Sequence, residues 1–211
     1  MKFVREFVRN PRRTGSIAAS SASVVDTVLQ ALDLTGARRV AELGAGTGAL
    51  TRGLLRQLPE DARLLAVEAN PSFCKELRHG FPGPRITVAN RSAVELPQLT
   101  SEYQMSPLDA VVSALPWTLM SPLDRQITLD GVIETMAPNG QFVTLTCLHQ
   151  TLLATGRRLR EQLRERFGQV RPLPVVWAAV PPLLVYLCTR PRKPMMLDTV
   201  DPGHPGEPVK S

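Results

Sequence analysis

The sequence predicts an α/β fold built on a doubly wound, mostly parallel sheet of seven strands that ends in an antiparallel strand pair. Three observations carry this. Short apolar runs alternate with segments of helical periodicity from Val40 to Phe167, the pattern of repeated strand–helix units. The first run, Val40 to Leu43, meets glycines at 44, 46 and 48 before a helix-like stretch from Leu50 to Leu58, which reads as strand, tight loop and helix. A later run, Asp109 to Leu115, is nearly continuous in apolar character, as suits a strand buried on both faces.

The elements follow in order. In residues 2–9, Phe3, Val4, Phe7 and Val8 share one helical arc, and Lys2, Arg5, Glu6 and Arg9 lie opposite. Such a short amphipathic helix needs an apolar bed, either the domain itself or a lipid interface. Asn10-Pro11 breaks it, and Arg12 and Arg13 add charge. Ser20 or Ser23 caps a helix over Val24–Leu34 that Gly36 ends. Strand two is Leu64–Glu68, followed by a helix over Pro71–His79. Ile86–Ala89 is strand three and Asp109–Leu115 strand four. A helix over Pro122–Met136, strand five at Gln141–Leu148 and a helix over Leu152–Phe167 come next. Val175–Val180 and Leu183–Thr189 form the closing pair, joined near Pro181-Pro182. This region is apolar, but it is too short and too proline-broken for a membrane span. Past residue 190 the chain is rich in Pro and Gly and reads as a disordered tail. The organisation is therefore an N-terminal segment over 1–36, one domain over 37–190 and a tail over 191–211.

Composition narrows the partners. The 211 residues suffice for one full core. A formal charge of +6 and a pI near 9.8 point to an anionic partner, nucleic acid or an acidic membrane surface. Cys74, Cys147 and Cys188 are widely spaced, as are His79, His149 and His204. No disulfide framework or metal site is expected, and a reducing cytoplasm fits. The basic start has no continuous apolar segment behind it, so no signal peptide is read.

The glycine loop decides the chemistry. A phosphate loop ends in Gly-Lys-Ser/Thr, whereas Gly48 precedes Ala49-Leu50-Thr51. A dinucleotide loop has G-x-G-x-x-G, whereas the spacing here is G-x-G-x-G. Glu42-Leu43-Gly44-Ala45-Gly46-Thr47-Gly48 resembles the first motif of the Rossmann-like S-adenosylmethionine-dependent methyltransferases. Glu42, Gly44, Ala45, Gly46 and Gly48 then form the cofactor loop. Glu68, followed by Ala69, sits where a carboxylate accepts hydrogen bonds from ribose hydroxyls. Ser92 and Ala93 lie by the adenine, and Ser113 borders both cofactor and acceptor. On the acceptor side, carbonyls near Ser113 to Leu115 are suited to an amine. Trp117 either receives a cationic head group on its ring face or packs in the core.

Over nearly the whole ordered chain the sequence resembles the bacterial phospholipid N-methyltransferases, which methylate phosphatidylethanolamine stepwise. The resemblance rests on Phe7, on the run from Pro11 to Ser21, on the glycine loop, and on Glu68-Ala69-Asn70-Pro71-Ser72-Phe73. It continues through Ser113-Ala114-Leu115-Pro116 and the late Pro181-Pro182. It implies a monotopic enzyme at the inner face of the membrane, with Phe3 and Phe7 entering the lipid and Arg5, Arg9, Arg12 and Arg13 attracting its anionic surface. The alternative family is the ribosomal-RNA adenine N6-dimethyltransferases, which carry Asn-Leu-Pro-Tyr/Phe where Ser113-Ala114-Leu115-Pro116-Trp117 stands. Arg91-Ser92-Ala93 also replaces the Gly-Asp-Ala usual in the lipid enzymes. That change supports a third reading, a cofactor-binding membrane-surface protein without transferase activity.

Overall fold

β1 (Arg39–Leu43) runs through the middle of a seven-stranded sheet. The computed structural model describes residues 21–193. The expected basic helix, with Phe3, Arg5, Phe7, Arg9, Arg12 and Arg13, lies outside them, as does the tail beyond Lys193.

β2 (Arg63–Val67) and β3 (Ile86–Ala89) extend the sheet on one side of β1. β4 (Leu108–Ser113), β5 (Met136–Cys147), β7 (Leu183–Pro191) and β6 (Phe167–Pro172) extend it on the other, in that spatial order. β1 to β5 pair in parallel, and β7 is antiparallel to both β5 and β6. The chain winds outward from β1 to β3 and returns to β4. The switch point is therefore the gap beyond the carboxyl ends of β1 and β4, the usual place for a ligand in such sheets.

Period-two alternation along the strands sorts side chains between two cores. Val40, Leu64, Ala110, Val112 and Val143 face α1 (Ala22–Ala31) and α2 (Ala49–Gln57). Ala41, Leu43, Leu65, Val111 and Phe142 face α4 (Leu96–Glu102), α5 (Pro122–Thr135) and α6 (Ala154–Arg166). α3 (Pro71–Gly80) starts with proline, and Asn70 caps it by accepting from Ser72 N–H.

Strand three and the sheet architecture match expectation, and other boundaries move by a few residues. The first helix is Ala22–Ala31 rather than Val24–Leu34, with Ser21 at its N-cap and Leu32 ending it. Strand four stops at Ser113, because Leu115 and Pro116 turn out of the sheet. β5 starts five residues earlier than Gln141. The closing pair needs a larger correction. Its first member is Phe167–Pro172, not Val175–Val180, and of the latter stretch only Val176 bridges to Leu183. The apolar character of 175–180 predicts a strand, whereas part of it is loop surface, with Trp177 and Val180 exposed. β7 also continues to Pro191, past the expected start of the tail.

Candidate cofactor and acceptor site

Glu42 is set by β1's alternation. It shares the face of Val40, directed toward α2, and is fully buried. There the Thr51 hydroxyl donates to Glu42 Oε2 at 2.6 Å. Glu42 Oε1 has no partner among the described residues. Burial pushes this carboxyl up to about 8, the Thr51 hydrogen bond opposes the shift, and the charge of Glu68 adds to it.

The loop above it is held open by glycine geometry. Gly44, Gly46 and Gly48 have φ of 79°, 54° and 85°, in the left-handed region that side chains disfavour. A Cβ on Gly48 would lie 2.5 Å from Phe81, and one on Gly46 would meet nothing within 4 Å. Gly48 is thus fixed by packing, and Gly46 faces open space.

Glu68 follows β2 and braces this loop. Its Oε2 accepts from Gly46 N–H and its Oε1 from Asn70 N–H, both at 2.8 Å. Burial raises its pKa, and these amides oppose the rise. Each oxygen keeps a second lone pair for a ligand hydroxyl. Ala69 beside it is exposed.

Ser92 performs a local task. It caps a short 3₁₀ turn, Ala93–Glu95, in a capping box. Its N–H donates to Glu95 Oε1 at 3.0 Å, and Glu95 Oε2 pairs with Arg91 at 2.7 Å. Ser92 stays exposed and Ala93 is buried.

On the acceptor side the loop touches the end of β4. A Cβ on Gly44 would lie 3.2 Å from Leu115 Cδ2 and 3.6 Å from the Ala114 carbonyl carbon. Ser113 is buried, and its Oγ accepts from Leu115 N–H at 3.3 Å. The carbonyls of Ser113, Leu115, Pro116 and Trp117 accept from Thr144 Oγ1, Trp117 N–H, Leu119 N–H and the Arg125 guanidinium. The Ala114 carbonyl accepts no hydrogen bond among the described residues.

Trp117 corrects an expectation. It is 1% exposed, edge-on to Phe142, and its Nε1 donates to Thr144 Oγ1. Its ring therefore belongs to the core and is not open to a head group. Arg125, which the sequence did not single out, holds this turn from α5. It is buried, bonded to Gln162 and to the Trp117 carbonyl, and its pKa is lowered by burial and then by Arg158. Thr51 and Asn70 were also missed. Thr51 has no local signature, because it meets Glu42 only once the helix after the loop packs on β1, but Asn70-Pro71 is a legible cap signal.

These features fit S-adenosylmethionine. An orphaned buried carboxylate oxygen, a glycine loop with open space at Gly46 and a second carboxylate at the neighbouring strand end suit its ammonium, backbone approach and ribose hydroxyls. Among the described residues no group of three His, Cys, Asp or Glu side chains could hold a metal.

The fold and loop define an S-adenosylmethionine-dependent methyltransferase. An O-methyltransferase of tomaymycin synthesis from Streptomyces achromogenes, solved in complex with S-adenosylmethionine, superposes with a TM-score of 0.66 at 20% identity, over 87% of this chain and 86% of that one. The profile of the ribosomal RNA adenine dimethylase family matches residues 12–154, more than half of the sequence, and the chain belongs to that family. Ornithine lipid N-methyltransferase of Singulisphaera acidiphila is 30% identical over 146 residues, covering 68% of this chain and 76% of that protein. Ribosomal RNA small subunit methyltransferase A of Bordetella pertussis is 34% identical over 113 residues, 53% of this chain and 40% of that protein. The expected methyltransferase class and cofactor therefore hold, and the relatives divide between lipid and RNA acceptors.

Proposed function

We propose that the protein is an N-methyltransferase of membrane amine lipids, with phosphatidylethanolamine, its methylated derivatives and ornithine lipid as the acceptors to try. The observation that carries this reading is the open Ala114 carbonyl beside Gly44, in a turn whose neighbouring carbonyls all accept hydrogen bonds. A lone backbone acceptor suits an aliphatic amine N–H. The adenine-methylating enzymes were expected to bring an asparagine side chain to the position of Ser113, whose hydroxyl here is bonded to its own turn. The lipid-acting relative is also matched over three-quarters of its length, against two-fifths for the RNA-acting one.

S-adenosylmethionine supplies an electrophilic methyl group on a sulfonium. Glu42, the 44–48 loop and Glu68 would hold it. The chain's remaining task is to orient an unprotonated nitrogen, and orientation alone accounts for much of such a rate. The Ala114 carbonyl accepts one N–H and leaves the nitrogen lone pair free.

The test is radiolabelled methyl transfer offered separately to anionic vesicles with phosphatidylethanolamine, to vesicles with ornithine lipid and to ribosomal RNA. Label in either lipid supports the reading. Label in RNA alone overturns it and makes the +6 charge a nucleic-acid footprint.

A further inference from the structure

We infer that the folded domain itself carries a membrane-docking edge, formed by the 148–153 and 173–182 segments beside the acceptor loop, whose partner is an anionic bilayer surface. The inference rests on the lipid reading for its biological sense, but on separate residues for its physics.

The placement comes from hydrogen bonds. The 3₁₀ segment Leu148–Leu152 follows β5 at the edge where β1, β4 and β5 all end. Leu148 N–H donates to the Pro182 carbonyl at 2.8 Å, which ties this segment to the loop before β7. Thr118 Oγ1 donates to Gln150 Oε1 at 2.7 Å, which ties it to the acceptor loop. The two segments and the acceptor loop are thus one continuous rim around the switch point.

That rim exposes large apolar side chains. Leu152 is 76% exposed, Leu153 54%, Trp177 71% and Val180 84%. Among the described residues only Leu123 and Ile127 join them as exposed large hydrophobics, and both lie on the first turns of α5, directly after the acceptor loop. A single exposed leucine means little, but a cluster confined to one rim marks an interaction surface.

Charge selects the partner. The sequence has no Asp or Glu from Met136 to Arg160, and none from Phe167 to Leu197. Arg157 is exposed and donates to the Leu152 carbonyl at 2.6 Å, so a cation stands next to an exposed leucine. Apolar tips and an indole in two rim segments that carry no acid of their own (Asp124 lies on the adjoining helix), with a guanidinium beside them, are the composition that lies in a lipid head-group region. Docking by this rim would bring the open Ala114 carbonyl to the depth of a lipid amine.

Trp177 is the built-in probe, since the other tryptophan is buried. Emission of the full chain is followed with vesicles of phosphatidylethanolamine and phosphatidylglycerol, with and without brominated acyl chains. The expected result is a blue shift and bromine quenching, both absent in Trp177→Phe. The triple variant Leu152→Ser, Trp177→Ser, Val180→Ser should keep its melting temperature and lose roughly tenfold in vesicle partitioning. Co-sedimentation with vesicles while Trp177 emission stays unmoved would overturn the inference. So would an equal shift on adding ribosomal RNA, or one that follows protein concentration alone. Methyl transfer to detergent-dispersed amine lipid separates the two ideas. Activity there with a silent Trp177 sinks the docking edge only, and a responsive Trp177 with no label in any amine lipid sinks the proposed reaction only.

Discussion

Thr51 Oγ1 donates to Glu42 Oε2 at 2.6 Å, inside the core, while the other oxygen of Glu42 has no partner. A buried carboxyl in that state favours its protonated form, and its pKa is raised to about 8. Between the usual carboxylate range and that value, the native state holds a proton that the unfolded chain has released. Stability is therefore full below about pH 4.5 for this group and falls as pH rises through about 8. The expected outcome is a melting temperature of the cofactor-free protein that declines over this window, with an effect on the order of a few kcal/mol. Glu42→Gln should flatten the decline, as read from melts across pH. The same variant should bind S-adenosylmethionine about tenfold or more weakly in calorimetry, because the ligand's ammonium would stabilise the ionised form of Glu42 and an amide cannot make that charge-assisted contact. A steep pH dependence that survives in Glu42→Gln would sink the assignment.

Glu68 joins the end of β2 to the glycine loop through Gly46 N–H. Glu68→Ala removes the brace and the acceptor together. Cofactor affinity should fall by about 10- to 100-fold, since hydrogen bonds to a charged group are worth about 1.5–3 kcal/mol each. Glu68→Gln keeps the shape, but its single amide oxygen can accept from only one of Gly46 and Asn70, and its NH2 faces the other N–H. It should fall between the wild type and Glu68→Ala in the same titration.

The glycines separate packing from binding. Gly48→Ala places a methyl against Phe81 and Leu77 at φ 85°, so the fold itself should lose more than about 1–2 kcal/mol in urea denaturation. Gly46→Ala meets no protein atom, so its stability loss should be near the roughly 1 kcal/mol of a left-handed alanine. Its cofactor affinity should nonetheless fall strongly if the open space at Gly46 receives the cofactor, as the fit of the loop proposes. Equal losses in both assays for both variants would refute the distinction.

The loop, Glu68 and the sheet were legible because each has a local signature. Gly44–Gly48 carries a spacing, Glu68 ends an apolar run, and β3 is a four-residue apolar segment between turns. What was not legible depends on contacts distant in sequence. Trp117 meets Thr144 only because β4 and β5 are neighbours with Ser113 opposite Thr144. Arg125 becomes a buried clamp only when α5 folds over the Trp117 turn. The strand over Phe167–Pro172 has no apolar run to mark it because it pairs at the sheet edge and four of its six residues are exposed, while Val175–Val180 is apolar for another reason. The capping box Ser92-Ala93-Val94-Glu95 is legible by its Ser-x-x-Glu spacing, and it assigns Ser92 a local structural bond in place of an adenine contact.

Trp117 offers the sharpest contrast between a core role and an acceptor role. Its indole is buried against Phe142, and Phe142 stacks on Phe167 with centroids 5.6 Å apart, so one aromatic column runs beneath the acceptor loop. Trp117→Phe keeps most of the apolar volume and loses the bond to Thr144. Thr144 still donates to the Ser113 carbonyl, so no hydroxyl is stranded. The loss should be about 1–2 kcal/mol in stability, with KM for the methyl acceptor unchanged. Trp117→Ala opens a cavity and should cost about 3–5 kcal/mol. A ring that received a cationic head group would behave in the opposite way: Trp117→Phe would raise KM for the acceptor while leaving the melting temperature in place. Measuring melting temperature and acceptor KM on the same preparation of Trp117→Phe therefore decides between the two roles.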